Sequence, residues 1–215
     1  STQCGIYAFW GATDLHTVTL GGASHTMGAY SFRYCNNLTR LNCCSPAPTI
    51  GLLSGTYGTF ADCPNLTEVH VPVNGWAGTT SWLGLTVIHD LPAVTPEAGS
   101  TVAYDSAGNI VAYRPAAWTS IPNNWGSSNS NIHTVEIGSN VATIGSNVLG
   151  YCTNLTGDVT FSGSVTSFGD FFGRQGSNFD NITFSEGITT IGSKTFLQYA
   201  GNKAIDLVMP STLTH

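Results

Sequence analysis

An apolar residue followed by glycine or proline recurs along this chain at a nearly fixed interval, and that period narrows the possible folds more than any other feature. Cys4-Gly5, Met27-Gly28 and Ile50-Gly51 stand 23 residues apart (27 − 4, 50 − 27). The other apolar positions move with them: Phe9 to Phe32, Ala12 to Cys35, Leu15 to Leu38, Val18 to Leu41 and Leu20 to Cys43. The step from Cys35 to Cys63 is 28 (63 − 35), five more than the period, and the extra residues fall around 53–57. The pattern then resumes with Phe60, Cys63, Leu66, Val69 and Val71. Further along, Ile121-Pro122, Ile144-Gly145, Phe168-Gly169 and Ile191-Gly192 are spaced by 23, 24 and 23. Counted this way there are seven copies, the last unfinished near His215. A unit this short cannot bury its own apolar face, so copies must stack into a common core.

Within the unit, Leu15-His16-Thr17-Val18-Thr19-Leu20 and Val69-His70-Val71 alternate apolar and polar residues, the pattern of a strand with one face inward. The glycine after the apolar residue reads as a bend at positive φ. The stretch after it, Ala8-Phe9-Trp10 or Ser31-Phe32-Arg33-Tyr34-Cys35, is too short for a free helix and suits a single helical or 3₁₀ turn. The expected fold is a mainly β repeat solenoid, a right-handed leucine-rich-repeat-like stack of 23–24-residue units. It combines a parallel sheet with short helical or 3₁₀ turns.

The clearest copies are Phe60-Ala61-Asp62-Cys63-Pro64-Asn65-Leu66-Thr67-Glu68-Val69-His70-Val71-Pro72 and Ile144-Gly145-Ser146-Asn147-Val148-Leu149-Gly150-Tyr151-Cys152-Thr153-Asn154-Leu155-Thr156. This pattern resembles the BspA-like class of leucine-rich repeat over roughly residues 1–77 and 118–215. The resemblance implies a curved solenoid with a stacked parallel sheet, in a surface-exposed protein concerned with adhesion and protein binding. Similar repeats also occur in phage and viral proteins. The departures are Val, Ile or Phe at many Leu positions and a copy at 168–190 without the Cys.

Residues 78–117 break the period. Thr101-Val102-Ala103-Tyr104 and Ile110-Val111-Ala112-Tyr113, joined by Asp105-Ser106-Ala107-Gly108-Asn109, read as a β-hairpin over 101–113. The expected organisation is therefore three repeats in 1–77, an irregular insertion in 78–117 and four repeats in 118–215. The hairpin either projects from one continuous solenoid, the reading we favour, or separates two stacks.

Composition removes several functions. Six Lys+Arg against 12 Asp+Glu give a net charge of −6, which disfavours nucleic acid and anionic membrane surfaces. Only 8% of residues are charged, so the surface must be largely Ser, Thr, Asn and Gly, a composition that points to an extracellular, cell-surface or virion setting. No apolar run approaches the roughly 20 residues of a membrane-spanning helix. The sequence shows no signal peptide and no initiating Met, which reads as a cut N-terminus.

Candidate chemistry is sparse. Cys35, Cys63 and Cys152 share one repeat position and read as small buried hydrophobes, although Cys35 and Cys63 on adjacent rungs are close enough in principle for a disulfide. No CxxC pair supports a metal site. His16, His70 and His133 read as one row on the outer sheet face, able to bind metal or sense pH but more simply inherited by duplication. Asn-x-Thr sequons at Asn37, Asn65, Asn154 and Asn181 read as one turn position, suited either to glycans or to an asparagine ladder that satisfies backbone groups. No nucleophile elbow, HExxH or P-loop is present, and no catalytic residue or cofactor site is nominated. The binding candidates are Trp76, Trp82, Tyr104, Tyr113, Trp118 and Trp125, aromatics gathered around the irregular stretch that serve either as interface anchors or as plugs.

The expected function is a non-catalytic extracellular surface or adhesion module that binds a protein or glycan through a solenoid face. The alternative is a structural virion subunit, such as a phage fibre or decoration protein, or an extracellular filament subunit whose partners are its own copies.

Overall fold

The computed structural model describes residues 2–21, 25–47, 58–197 and 206–214. The insertion expected at 53–57 and the Ile50-Gly51 step lie outside these residues. The chain divides into two compact units, 1–95 and 96–215.

In the first unit the first two rungs each carry two short strands. Strand β1 (Thr2–Cys4) pairs in parallel with β3 (His25–Met27). The main ladder holds β2 (Thr17–Leu20), β4 (Arg40–Cys43), β5 (Glu68–Pro72) and β7 (Leu85–Leu91), all parallel, with β6 (Ser81–Trp82) antiparallel on β7. The register aligns Val18, Leu41, Val69 and Val87. Because side chains alternate across a strand, this register turns one aliphatic row inward, and all four are buried.

The second unit repeats the device. Strands β10 (Ser120–Ile121), β12 (Thr143–Ile144) and β14 (Ser167–Phe168) form one parallel ladder. Strands β13 (Asp158–Phe161), β15 (Asn181–Phe184) and β16 (Asp206–Val208) form the other. The 101–113 region folds as β8 (Thr101–Tyr104) antiparallel to β9 (Ile110–Arg114), and the other edge of β8 pairs antiparallel with β11 (Thr134–Glu136). The hairpin is thus built into the sheet of the second unit. The interior here is aliphatic, as with Ile121, Ile132, Ile144 and Leu155, with an aromatic cluster added: Phe161, Phe172 and Phe179 are fully buried, and Phe161 stacks on Phe184 at 5.2 Å.

The bends differ from the sequence reading. At Gly28, Gly145 and Gly169 glycine is needed because it has no side chain, and its φ is not positive. A Cβ on Gly28 would lie 2.6 Å from the Ile6 backbone N, and one on Gly145 would lie 2.6 Å from the Asn123 N. Successive rungs approach too closely there for any other residue.

The expected helical or 3₁₀ turn is absent from the described residues. Instead, every second residue of the turn has positive φ: Asn124, Gly126 and Ser128; Asn147, Leu149 and Tyr151; Phe171, Gly173 and Gln175. This alternation breaks a right-handed helix and sends alternate N–H groups in different directions. In the first rung Ala8, Trp10 and Ala12 donate within the turn to Gly5, Tyr7 and Phe9. Tyr7, Phe9 and Gly11 donate to Ala29, Ser31 and Arg33 of the next rung. The backbone is thereby satisfied on the turn side as well as in the sheet.

Candidate binding surface

Three of the residue types singled out by the repeat stitch rung to rung. The side-chain amides of Asn37, Asn65 and Asn154 donate to the carbonyls of Thr13, Asn36 and Ser130 at 2.7–2.8 Å. The hydroxyls of Thr39 and Thr156 donate to the carbonyls of His16 and His133. Both ends of the Asn37 and Asn154 sequons, and the asparagine of the Asn65 sequon, therefore hold the preceding rung, which is the asparagine-ladder reading. Asn181 is different: it begins β15 and donates to the Asp158 Oδ1 at 2.6 Å, so it does not share the turn position expected for it.

The thiols of Cys35, Cys63 and Cys152 donate in the same way to Phe9, Phe32 and Gly126 carbonyls at 2.9–3.2 Å. Cys35 and Cys63 are free, so the possible disulfide is not formed. Each thiol is engaged by a backbone carbonyl of the rung before it. Burial raises the pKa of Cys63 to about 11 and that of core Cys43 to about 12, which keeps both protonated.

The histidine row also needs correcting. His70 pairs across the sheet with Asn42, which pairs with Thr19, so it lies three residues beyond the position of His16. His16 and His133 are the equivalent pair, each ring bonded to a carbonyl two residues back, Asp14 and Asn131. His70 is buried on the sheet instead, with Nδ1 2.9 Å from Asp90. Arg40 reaches Asp90 at 3.3 Å. Desolvation pushes the Asp90 carboxyl up, but the hydrogen bonds from His70 and Arg40 outweigh it and hold the pKa below its ordinary value. Among the described residues no group of three or more His, Cys, Asp or Glu is placed to hold a metal ion.

The six nominated aromatics fall in both units. In the first, Trp76 is fully buried, donates its Nε1–H to the Ser45 carbonyl at 2.8 Å, and meets Trp82 edge-on at 5.0 Å. In the second, Tyr113 is buried and its hydroxyl accepts from Ser100 at 3.1 Å. Trp76 and Tyr113 are therefore interior plugs and not exposed anchors. Tyr104 is partly buried beside Glu136, Trp118 lies under the Arg114 guanidinium at 4.1 Å, and Trp125 is partly buried in a turn.

The aromatic patch that is exposed lies elsewhere, on the turn side of the first unit. Tyr7, Trp10 and Tyr34 keep 53%, 42% and 40% of their surface in solvent. Tyr7 stacks on Tyr30 at 5.3 Å with the rings nearly parallel, and Trp10 stands edge-on to Tyr34 at 5.1 Å. The Arg33 guanidinium lies over three of these rings, at 5.2 Å from Trp10, 5.1 Å from Tyr30 and 4.6 Å from Tyr34. Its Nε donates to Asp62, which raises the Arg33 pKa further. Tyr7, Tyr30 and Tyr34 all have φ near +60°, a conformation that costs a residue with a Cβ roughly 1–2 kcal/mol. Other turns place Asn124, Asn147 or Ser128 at these repeat positions. The clue available in the sequence was aromatics at turn positions that tolerate asparagine, beside an arginine.

The class follows from this architecture: a mainly β solenoid of stacked repeats about 23 residues long, whose recurring polar groups serve the stack. A sequence profile described as the BspA type leucine rich repeat region matches in six copies over residues 1–76 and 113–215, and the chain belongs to that family. Leucine-rich repeat solenoids are in general non-enzymatic protein-interaction scaffolds, and BspA-type proteins are typically surface-associated. Comparison with curated proteins gives no match. Among the described residues no helix is long and apolar enough to cross a membrane.

Proposed function

We propose that this chain is a non-catalytic binding module of an extracellular or surface-exposed protein, working in adhesion. It grips a protein partner through the aromatic patch around Arg33. The observation that carries this reading is the guanidinium over Trp10, Tyr30 and Tyr34, beside exposed Tyr7. Trp, Tyr and Arg are the residues most enriched among binding hot spots. Here they are held in place by one another before any partner arrives, which lowers the ordering cost of binding.

The test is saturable binding of the 215-residue chain to an array of extracellular proteins and glycans, followed by the double variant Trp10→Ala/Tyr34→Ala. The expected result is a protein ligand whose affinity falls at least about 10-fold in the variant. A glycan ligand alone, or unchanged affinity, overturns the reading.

A second reading, a structural subunit of a virion or filament, has its own observation. Strand β16 is exposed along its length, with Leu207 and Val208 more than half in solvent. Light scattering coupled to size exclusion separates the two. A monomer at micromolar concentration supports the binding module, and fixed oligomers or fibres support the subunit.

A further inference from the structure

Arg33 has a counterpart. It stands five residues after Gly28, and Arg174 stands five residues after Gly169 (33 − 28, 174 − 169). The ring two residues after the glycine is Tyr30 in one rung and Phe171 in the other, both at positive φ. The Arg174 guanidinium lies 4.8 Å from the Phe171 ring and 5.5 Å from Tyr151 of the preceding rung. The rungs are clasped there by the Tyr151 N–H donating to the Arg174 carbonyl at 2.6 Å. The same repeat position has thus been given an arginine between aromatic faces in each unit.

The difference is the counter-charge. Arg33 is paired with Asp62, and the other arginine of the first unit, Arg40, with Asp90. Among the described residues the Arg174 guanidinium makes no ion pair and no hydrogen bond, and its Nε is buried without a partner. Every Asp and Glu of the sequence lies within the described residues, so no acidic side chain elsewhere in the chain supplies one. Arg114 also lies on a ring with its Nε buried and unpartnered, but it differs from Arg174 in donating its Nη2 to the Ser120 carbonyl. A buried, unmade hydrogen bond to a charged donor is costly, and the planar guanidinium fork matches an anion with two coplanar oxygens.

We infer that Arg174, walled by Tyr151 and Phe171, is a carboxylate-binding site that takes an aspartate or glutamate side chain of a protein partner. The inference rests on the protein-binding reading above. A carboxylate carries the single charge that one guanidinium neutralises. A phosphate dianion brings a second charge into a unit where eight Asp and Glu already outnumber the four Lys and Arg, counted over 96–215. The two ring faces hold the guanidinium by cation–π contact, which orients the fork before an anion arrives.

The chain has four arginines, so its Nε–H resonances form a four-peak spectrum assignable by single Arg→Lys variants. The probe is the peptide acetyl-Gly-Glu-Gly-amide, titrated into the intact chain, with acetyl-Gly-Gln-Gly-amide and inorganic phosphate as separate arms. The expected result is a saturable shift of the Arg174 resonance by the Glu peptide, with Arg33 unmoved because Asp62 already occupies it. No shift, an equal shift with the Gln peptide, or an equal saturable shift with phosphate overturns the assignment.

Arg174→Gln then separates this inference from the function it rests on. Loss of partner affinity in Arg174→Gln supports the site. Unchanged affinity in Arg174→Gln, with loss in Trp10→Ala/Tyr34→Ala, overturns the carboxylate site and leaves the binding module standing. No partner for the parent chain, with the Arg174 resonance still shifting on the Glu peptide, overturns the module and leaves the carboxylate chemistry in place.

Discussion

The two units build the same rung but place their aromatic residues differently. The first keeps a largely aliphatic interior of Val18, Leu20, Leu38, Leu41, Leu66, Val69 and Val71, and puts Tyr7, Trp10, Tyr30 and Tyr34 on the turn side around Arg33. The second adds a cluster of Phe161, Phe172, Phe179 and Phe184 to an aliphatic interior and leaves Tyr151 and Phe171 beside Arg174. The interior rings remove apolar area from water and hold the fold. The turn-side tyrosines occupy strained backbone positions, remain partly wet and gather round a charge, so little of their area serves the fold. One repeat can therefore be read at two levels: groups that recur to join rungs, and groups that depart from the repeat and face outward.

The largest expected effect separates the two kinds of ring. Phe161 is fully buried and meets Phe168, Phe172 and Phe184 at 5.1–5.3 Å. Phe161→Ala should lower the unfolding free energy by about 3–5 kcal/mol, while Trp10→Ala should lower it by about 1 kcal/mol or less. Urea unfolding of both variants checks this, and equal losses would erase the distinction.

A smaller effect comes from the thiol ladder. The Cys63 thiol is raised from its ordinary value of 9.0 to about 11, so the native state holds its proton more tightly than the unfolded chain does. The stability it lends is complete below pH 9 and is lost as pH rises through about 11. Unfolding midpoints should fall across that window, and Cys63→Ala should fall less steeply. Parallel slopes for the two proteins would contradict the ladder's protonated state.

Much of the fold was legible because a fixed period constrains every apolar position at once. Val18, Leu41 and Val69 could be aligned on sequence alone, and the sheet register agrees. The asparagines at 37, 65 and 154 were legible for the same reason. The turn conformation was not, because alternating positive φ leaves no composition signal when Leu149 and Tyr151 adopt it alongside glycine. His70 was misplaced because a one-residue pattern cannot fix register when the strand lengths differ. The exposed surface was not legible from the aromatics of the irregular stretch, where Trp76 and Tyr113 prove to be interior. The patch around Arg33 instead lies in a regular repeat, where its residues looked like part of the period.

The most direct test of the central claim is the unfolding free energy of the triple variant Tyr7→Asn/Tyr34→Asn/Tyr151→Asn. The outward tyrosines are held to be surplus to the fold, and asparagine accepts their positive φ at lower strain. Lost ring contacts and relieved strain should nearly cancel, leaving stability within about 1 kcal/mol of the parent chain. A loss above about 3 kcal/mol, comparable to removing a buried ring, would show that these aromatics hold the solenoid together and would contradict their reading as a binding surface.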